Sequence, residues 1–436
     1  MRSSETADDR EMRVAPSYGW YGDDFTGATD TLATLARRGQ CAFLFLGVPS
    51  ARHLAEAGDL DAIGIAGAAR TMSPEEMRAE LEPVGEFFRG LGIRLLHYKC
   101  CSTFDSARER GNIAAASAIL LPYVQHPAVA VIGGQPSLGR YCAFSNLFAT
   151  FGQGGEVFRL DRHPTMSRHP ATPMAESDLR RHLVALGLPD AAAIHWPLLA
   201  QDPDRIHAEW ARASEQSRAV LFDALENGHL EIIGRVLRTA SQQRSLLVVG
   251  ASSVAQAYFE EVEASVSKPE PGTGPVLAFV GSLSPTTRTQ VAAAHSYHRI
   301  AVQPEELTSS AEARGRVVEK AVAVLAEGRN VMVSTVPEDG EAPSMAAAEL
   351  ADHSAAVVDN ILERHPVRRL AIAGGDTSSK IAGALGFWGL GYERQIGSGV
   401  AVSIARSDVV SRDNMRVLLK GGQMGDEQLF ETFLAG

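Results

Sequence analysis

The stretch YGDDFTGATD, Tyr21 to Asp30, sets Asp23 and Asp24 side by side where an apolar segment hands over to a helical pattern continuing through TDTLATLARRG. One of these acids can cap the helix by accepting from its free backbone N–H groups. Its neighbour is not explained that way. A carboxylate turned toward a cleft can hold ligand hydroxyls, or take the proton of an attacking hydroxyl. Asp24, nearer the helix, takes the catalytic role in this reading and Asp23 the ligand-holding one; the sequence by itself allows the reverse. Further on, HYKCCSTFDSARERGN gathers Lys99, Ser102, Thr103 and Asp105 just past another strand. Such a cluster suits a polyhydroxylated acid, with Lys99 paired to its carboxylate, and an ordinary capped turn uses the same residue types. Arg70, Arg140 and His169 lie in or near loops after strands, where a single charged residue is more often surface or structural than a ligand contact. The segment DRHPTMSRHPATPM packs two His-Pro pairs together, which suits a rigid loop over a cleft better than a metal site. No metal ligand set is assigned.

The second half carries a different chemistry. In LAIAGGDTSSKIAGALG a buried strand runs into Gly374, Gly375, Asp376, Thr377 and then a helix; in VLLKGGQMGDEQLF another ends in Lys420, Gly421 and Gly422; FVGSLSPTTRTQ adds Gly281, Ser282 and Ser284. Backbone N–H groups and hydroxyls at the start of a helix make an anion site. A glycine after a strand is as often simple turn geometry, but three such junctions in one half favour a phosphate-binding domain. None has the Walker A or GxGxxG spacing, so neither a P-loop kinase nor a dinucleotide dehydrogenase is supported.

The elements needed to position these residues are legible. Short apolar runs alternate with amphipathic stretches along most of the 436 residues, the pattern of layered α/β structure with mainly parallel sheets. The Pro/Gly-rich SKPEPGTGP, Ser267 to Pro275, separates two such series. We expect a polar arm over 1–16, one α/β domain over 17–266, a linker over 267–275 and a second α/β domain over 276–436, with chemistry in the cleft between. A net charge of -11 argues against nucleic acid or an anionic membrane as partner. The N-terminus lacks an apolar signal region, no apolar run reaches the roughly 18 residues that span a membrane, and Cys41, Cys100, Cys101 and Cys142 match neither zinc nor CxxC spacing. A reducing cytoplasm is the expected setting.

Taken together, DDFTGATD, CSTFDS, HPATPM, GSLSPTT, GGDTSS and KGGQMG occur in an order that resembles the four-carbon acid sugar kinase family. The resemblance covers nearly all of the chain after the polar arm. It implies an N-terminal sugar-acid-binding domain, a C-terminal nucleotide-binding domain, ATP and Mg²⁺ as cofactors, and phosphoryl transfer to a hydroxyl of a four-carbon or related acid, 3-oxo or branched forms included. It carries nucleotide contacts onto Ser282, Gly374 to Thr377 and Gly422, and places Asp23, Asp24, Arg70, Lys99, Ser102, Thr103, Asp105 and His169 on the sugar-acid side. Departures from the family pattern are Asp376 for the usual Glu, KGGQ for KSGN, GSGVAV before the last strand, and GRYCAFSNLFA in the substrate half. The last bears on which acid is used. A homodimer is compatible with this reading, and a non-catalytic sugar-acid sensor or carrier is the alternative.

Overall fold

The computed structural model describes residues 16–152, 154–168, 172–262, 272–282, 284–335, 347–397, 399–422 and 424–436. Almost all of the expected arm, most of the expected linker, and His169 therefore lie outside the described residues, as does the side chain of Asp376.

The first half contributes β1 (Tyr18–Gly22), β2 (Ala42–Phe45), β3 (Ala62–Ala66), β4 (Leu95–Lys99) and β5 (Val129–Ile132), then β6 (Arg140–Ala143), β7 (Asn146–Thr150) and β8 (Val157–Arg159), and finally β9 (Ala192–Ile194), β10 (Ala219–Phe222) and β11 (Leu246–Gly250). The second half supplies β12 (Val276–Val280), β13 (His298–Ala301), β14 (Val331–Ser334), β15 (Arg369–Ala373), β16 (Phe387–Gly397), β17 (Val400–Ser407) and β18 (Met415–Lys420). Strands such as β1, β11 and β12 are buried at every residue, because helices cover both faces of a parallel sheet. The α/β class with mainly parallel strands is as the alternation predicts.

The two halves do not form separate sheets. Fifteen strands join in the order β13-β14-β12-β15-β18-β17-β16-β2-β3-β1-β4-β11-β5-β10-β9, while β6, β7 and β8 make a small antiparallel sheet of their own. The join is the antiparallel pair β16–β2, through Gly389–Phe45, Leu390–Leu44 and Gly391–Phe43. One apolar cluster crosses it, from Tyr18, Trp20 and Leu44 to Leu277, Phe279 and Ile372. Periodicity shows that strands exist, but edge pairing between distant strands leaves no mark on it.

Each half has a point where the chain leaves a central strand for both sides. β1 lies between β3 and β4, and β12 between β14 and β15. Ligands in open α/β sheets bind at the carboxyl ends of strands at such points. The antiparallel pairs β16–β2, β16–β17 and β17–β18 reverse the strand direction between halves. Loops from the two sets nevertheless approach one another, since a Cβ on Gly375, after β15, would lie 3.7 Å from Thr26 Oγ1, after β1. Among the described residues no helix is long and apolar enough to cross a membrane.

Candidate active site

At the end of β1, Asp24 has extended backbone (φ -141°, ψ 158°) and begins α1 (Phe25–Arg37), its Oδ1 accepting from Gly27 N at 3.0 Å. It is therefore the helix cap that the sequence allowed, and it does more. Arg70, in the turn after β3, donates from Nη2 to Asp24 Oδ1 at 2.9 Å and to Asp23 Oδ1 at 2.8 Å. Its Nε reaches Asp23 Oδ2 at 3.4 Å, and its backbone N–H bonds Asp23 O at 3.0 Å. Asp23 is only 3 % exposed. Burial pushes its carboxyl up to about 6, opposed by Arg70 and reinforced by the neighbouring charge of Asp24. Asp24 is more open, and because Oδ1 holds both of its bonds, Oδ2 has no partner among the described residues.

Lys99, buried at the end of β4, donates to Cys100 O at 2.8 Å. A Cβ on Gly27 would stand 2.6 Å from Lys99 Nζ and closer still to Asp24 Oδ1, so glycine lets the helix start approach both groups. Gly27→Ala is expected to displace the ammonium or the carboxylate and lower kcat/KM for the sugar acid by about 10²-fold, the usual penalty for small misplacement of a reacting group. Calorimetry with ATP on the same variant should show near-normal affinity.

Beyond Lys99, Cys101 Sγ lies 3.0 Å from Thr103 Oγ1, which donates to Asp105 Oδ1 at 2.5 Å. Thr103 and Asp105 are buried, and Ser102 is half-buried on the same loop. Arg140 opens β6 on the small sheet. Asp23, Asp24, Arg70, Lys99 and the Thr103–Asp105 loop thus gather around the ends of β1, β3 and β4.

The phosphate-like loops gather as well. Gly374 N bonds Lys420 O at 2.9 Å, joining the loops after β15 and β18. Gly374 (φ 129°) precedes the helix Gly375–Ala384. Ser284 caps the helix Pro285–Ala293 through Thr287 N and also donates to Gly422 O. Its hydroxyl, expected on the nucleotide, links the helix start to the loop after β18. Ser282 Oγ accepts from Ser284 N at 3.3 Å and Thr287 Oγ1 at 3.2 Å. Lys420 is fully buried and donates to Thr287 Oγ1 at 2.7 Å and Gly422 O at 3.3 Å. Burial lowers its pKa to about 8.

The two clusters face each other across one residue. A Cβ on Gly375 would lie 3.7 Å from Thr26 Oγ1, and one on Gly421 3.5 Å from Thr26 Cγ2. The first turn of α1, which Asp24 caps, therefore abuts the glycine loops. Thr26 and Thr287 carry this assembly and were not singled out by the sequence reading. Thr287 had a signal in its place three residues after the capping Ser284; Thr26 had none, since its partners lie more than 300 positions away.

A sugar-binding N-terminal domain model matches residues 18–258, and a nucleotide-binding C-terminal domain model matches 277–430. A 3-oxo-isoapionate kinase of Paraburkholderia graminis is 34% identical over 438 residues, covering 94% of this chain and 92% of that protein. A 3-oxo-tetronate kinase of Cupriavidus necator is 27% identical, covering 96% of each chain. A solved structure from Salmonella typhimurium LT2 shares the fold, with TM-score 0.81 at 24% identity over 96% of this chain and 98% of that one. With kinase relatives matched end to end and family models over the acid-bearing and glycine-loop halves alike, this chain belongs to the four-carbon acid sugar kinase family and is a sugar-acid kinase.

Proposed function

We propose that the protein transfers the γ-phosphoryl group of ATP to a hydroxyl of a 3-oxo sugar acid, of four carbons or with a branched skeleton. Residues 17–266 hold the acid and 276–436 the nucleotide. The observation carrying this reading is the approach of Thr26 to the Gly375 and Gly421 loops, which brings a helix capped by a half-open carboxylate beside the candidate phosphate cradle. The relatives' names, one branched and the others tetronate, support the substrate class.

In the reaction the substrate hydroxyl oxygen bonds to the γ-phosphorus as the bond to ADP breaks, and the hydroxyl proton passes to Asp24 Oδ2. Arg70 keeps Asp24 oriented and Asp23 charged. Lys420 and the amides of Gly375 and Gly422 hold the phosphates, where a fully buried ammonium with no carboxylate among its bonds to the described residues fits an anion. Mg²⁺, carried with those phosphates, supplies neutralisation of their developing charge; among the described residues no group of three or more His, Cys, Asp or Glu gathers as a metal site. The reading places the reaction in the cytoplasm and is compatible with a homodimer, which sedimentation tests.

A coupled ADP-release screen over tetronates, 3-oxo-tetronates and branched acids tests the function; no turnover on any member sinks it. Gly375→Val tests the cradle. Among the described residues, chain neighbours aside, only Thr26 lies within 4 Å of a Cβ there, so the fold should be retained while the side chain fills the phosphate position. Near-normal ATP affinity in the folded variant would remove that loop from the site.

A further inference from the structure

Beyond the acid cluster, the loop after β5 and the start of β6 hold a second group of polar atoms. Gln135 and Arg140 face one another in an antiparallel bridge, with Gln135 N bonding Arg140 O at 2.8 Å and Arg140 N bonding Gln135 O at 3.2 Å. Directly opposed residues send their side chains to the same face. Gln135 is 2 % exposed, and its Oε1 is buried without a partner; Arg140 Nε is likewise buried and unpartnered. A buried acceptor and a buried donor thus belong to opposed residues of one bridge, both with bonds unmade, which a folded protein rarely leaves without a ligand.

The charge of Arg140 is also unspent. Its Nη1 meets only the carbonyls of Leu138 and Gly139, at 2.8 and 3.4 Å, and no carboxylate pairs with it among the described residues. Arg70, by contrast, is committed to Asp23 and Asp24. Cys101 lies within electrostatic reach of both Arg70 and Arg140, so the two guanidinium groups flank one loop. The hairpin bearing Arg140 is held rigidly. Phe144 and Ser145, at its turn, adopt φ of 48° and 68°, and their amides donate to the buried Asp223 carboxylate at 2.7 and 2.9 Å. His195 Nδ1 bonds the same carboxylate at 3.2 Å. Pinning the turn preorganises the strand that carries the guanidinium.

We propose that Gln135 and Arg140 form the subsite for the carboxylate end of the sugar acid, Arg140 pairing with the carboxylate and Gln135 Oε1 accepting from the adjacent hydroxyl. This rests on the kinase reading for the substrate class. It makes Arg140, rather than Lys99, the acid-selecting residue, and leaves Lys99 and Asp24 at the reacting end.

The test is calorimetric titration of D-erythronate, L-threonate and apionate, each beside its carboxylate-free counterpart erythritol, threitol or apiitol. Wild type should prefer the acids. Arg140→Met should weaken the preferred acid by about 10–10²-fold, the scale of a charge-assisted bond, and leave the polyol within twofold. Should that variant not fold, Arg140→Lys carries the test with an expected loss of about 10-fold, since an ammonium lacks the guanidinium fork. Gln135→Leu should weaken acid and polyol alike by about fivefold without lowering the melting temperature, because it removes an unmet acceptor. Arginine variants that keep the full preference for the acid would overturn the subsite while ADP release by wild type leaves the kinase reading standing. If wild type binds none of the acids, the subsite falls, and the ADP-release screen over 3-oxo acids decides the kinase reading separately. If the acids bind through Arg140 and no ADP is released, the subsite stands and the kinase reading fails.

Discussion

Asp24→Asn should fold as well as the parent and lose about 10²-fold or more in kcat. The amide oxygen of Asn can still accept from Gly27 N and from Arg70 Nη2, the bonds that Asp24 Oδ1 makes now, and Asn caps helices as well as Asp. What it cannot do is receive a proton through the second oxygen, and general base help is typically worth 10²–10⁴-fold. ATP affinity should be nearly unchanged. The measurement is kcat together with the unfolding midpoint on one preparation. A destabilised variant with normal turnover would reduce Asp24 to a cap, and a full loss in Asp23→Asn alone would exchange the roles of the two acids.

Lys420→Met should give a more stable protein that hardly binds ATP. The ammonium is fully buried and, among the described residues, bonded only to Thr287 Oγ1 and Gly422 O, and desolvation lowers its pKa from 10.5 to about 8. The sign follows from proton counting. Between about 8 and 10.5 the unfolded chain holds a proton that the native state has released, so stability rises with pH across that window. Below it the native state carries the full penalty, on the order of 3 kcal/mol. Methionine removes the penalty and the slope together. It also removes the charge facing the phosphates, which should weaken ATP by about 10–10²-fold. In the parent, ATP binding above pH 8 should take up a proton, read from calorimetry in buffers of different ionisation enthalpy. An Lys420→Met protein that melts lower and binds ATP normally would make the lysine structural.

The strand-to-helix junctions were legible because each is local. Asp24 ahead of FTGATD, Ser284 ahead of PTT and Gly374–Gly375 after LAIA are cap and turn signals within a few residues. The candidate site residues could be listed for the same reason. Their pairings could not. Nothing in the spacing of Asp23, Asp24 and Arg70 shows that one guanidinium holds both acids, since that bond depends on β1 and β3 lying side by side in register. Gln135 escaped notice because its distinction is an unmet bond in a buried place, and burial of a single polar residue is not written in its neighbours.

By itself, the sequence determined the α/β alternation, the helix starts and the motif order, since backbone propensity, capping and hydrophobic period act over a few residues. Tertiary structure alone decided that β16 pairs with β2 to merge two halves into one sheet, that Thr26 lies beside loops from the far end of the chain, and that Lys420 is buried without a carboxylate among its bonds to the described residues. Those outcomes depend on edge pairing, twist and desolvation, which arise only when residues hundreds of positions apart exclude water from the same space.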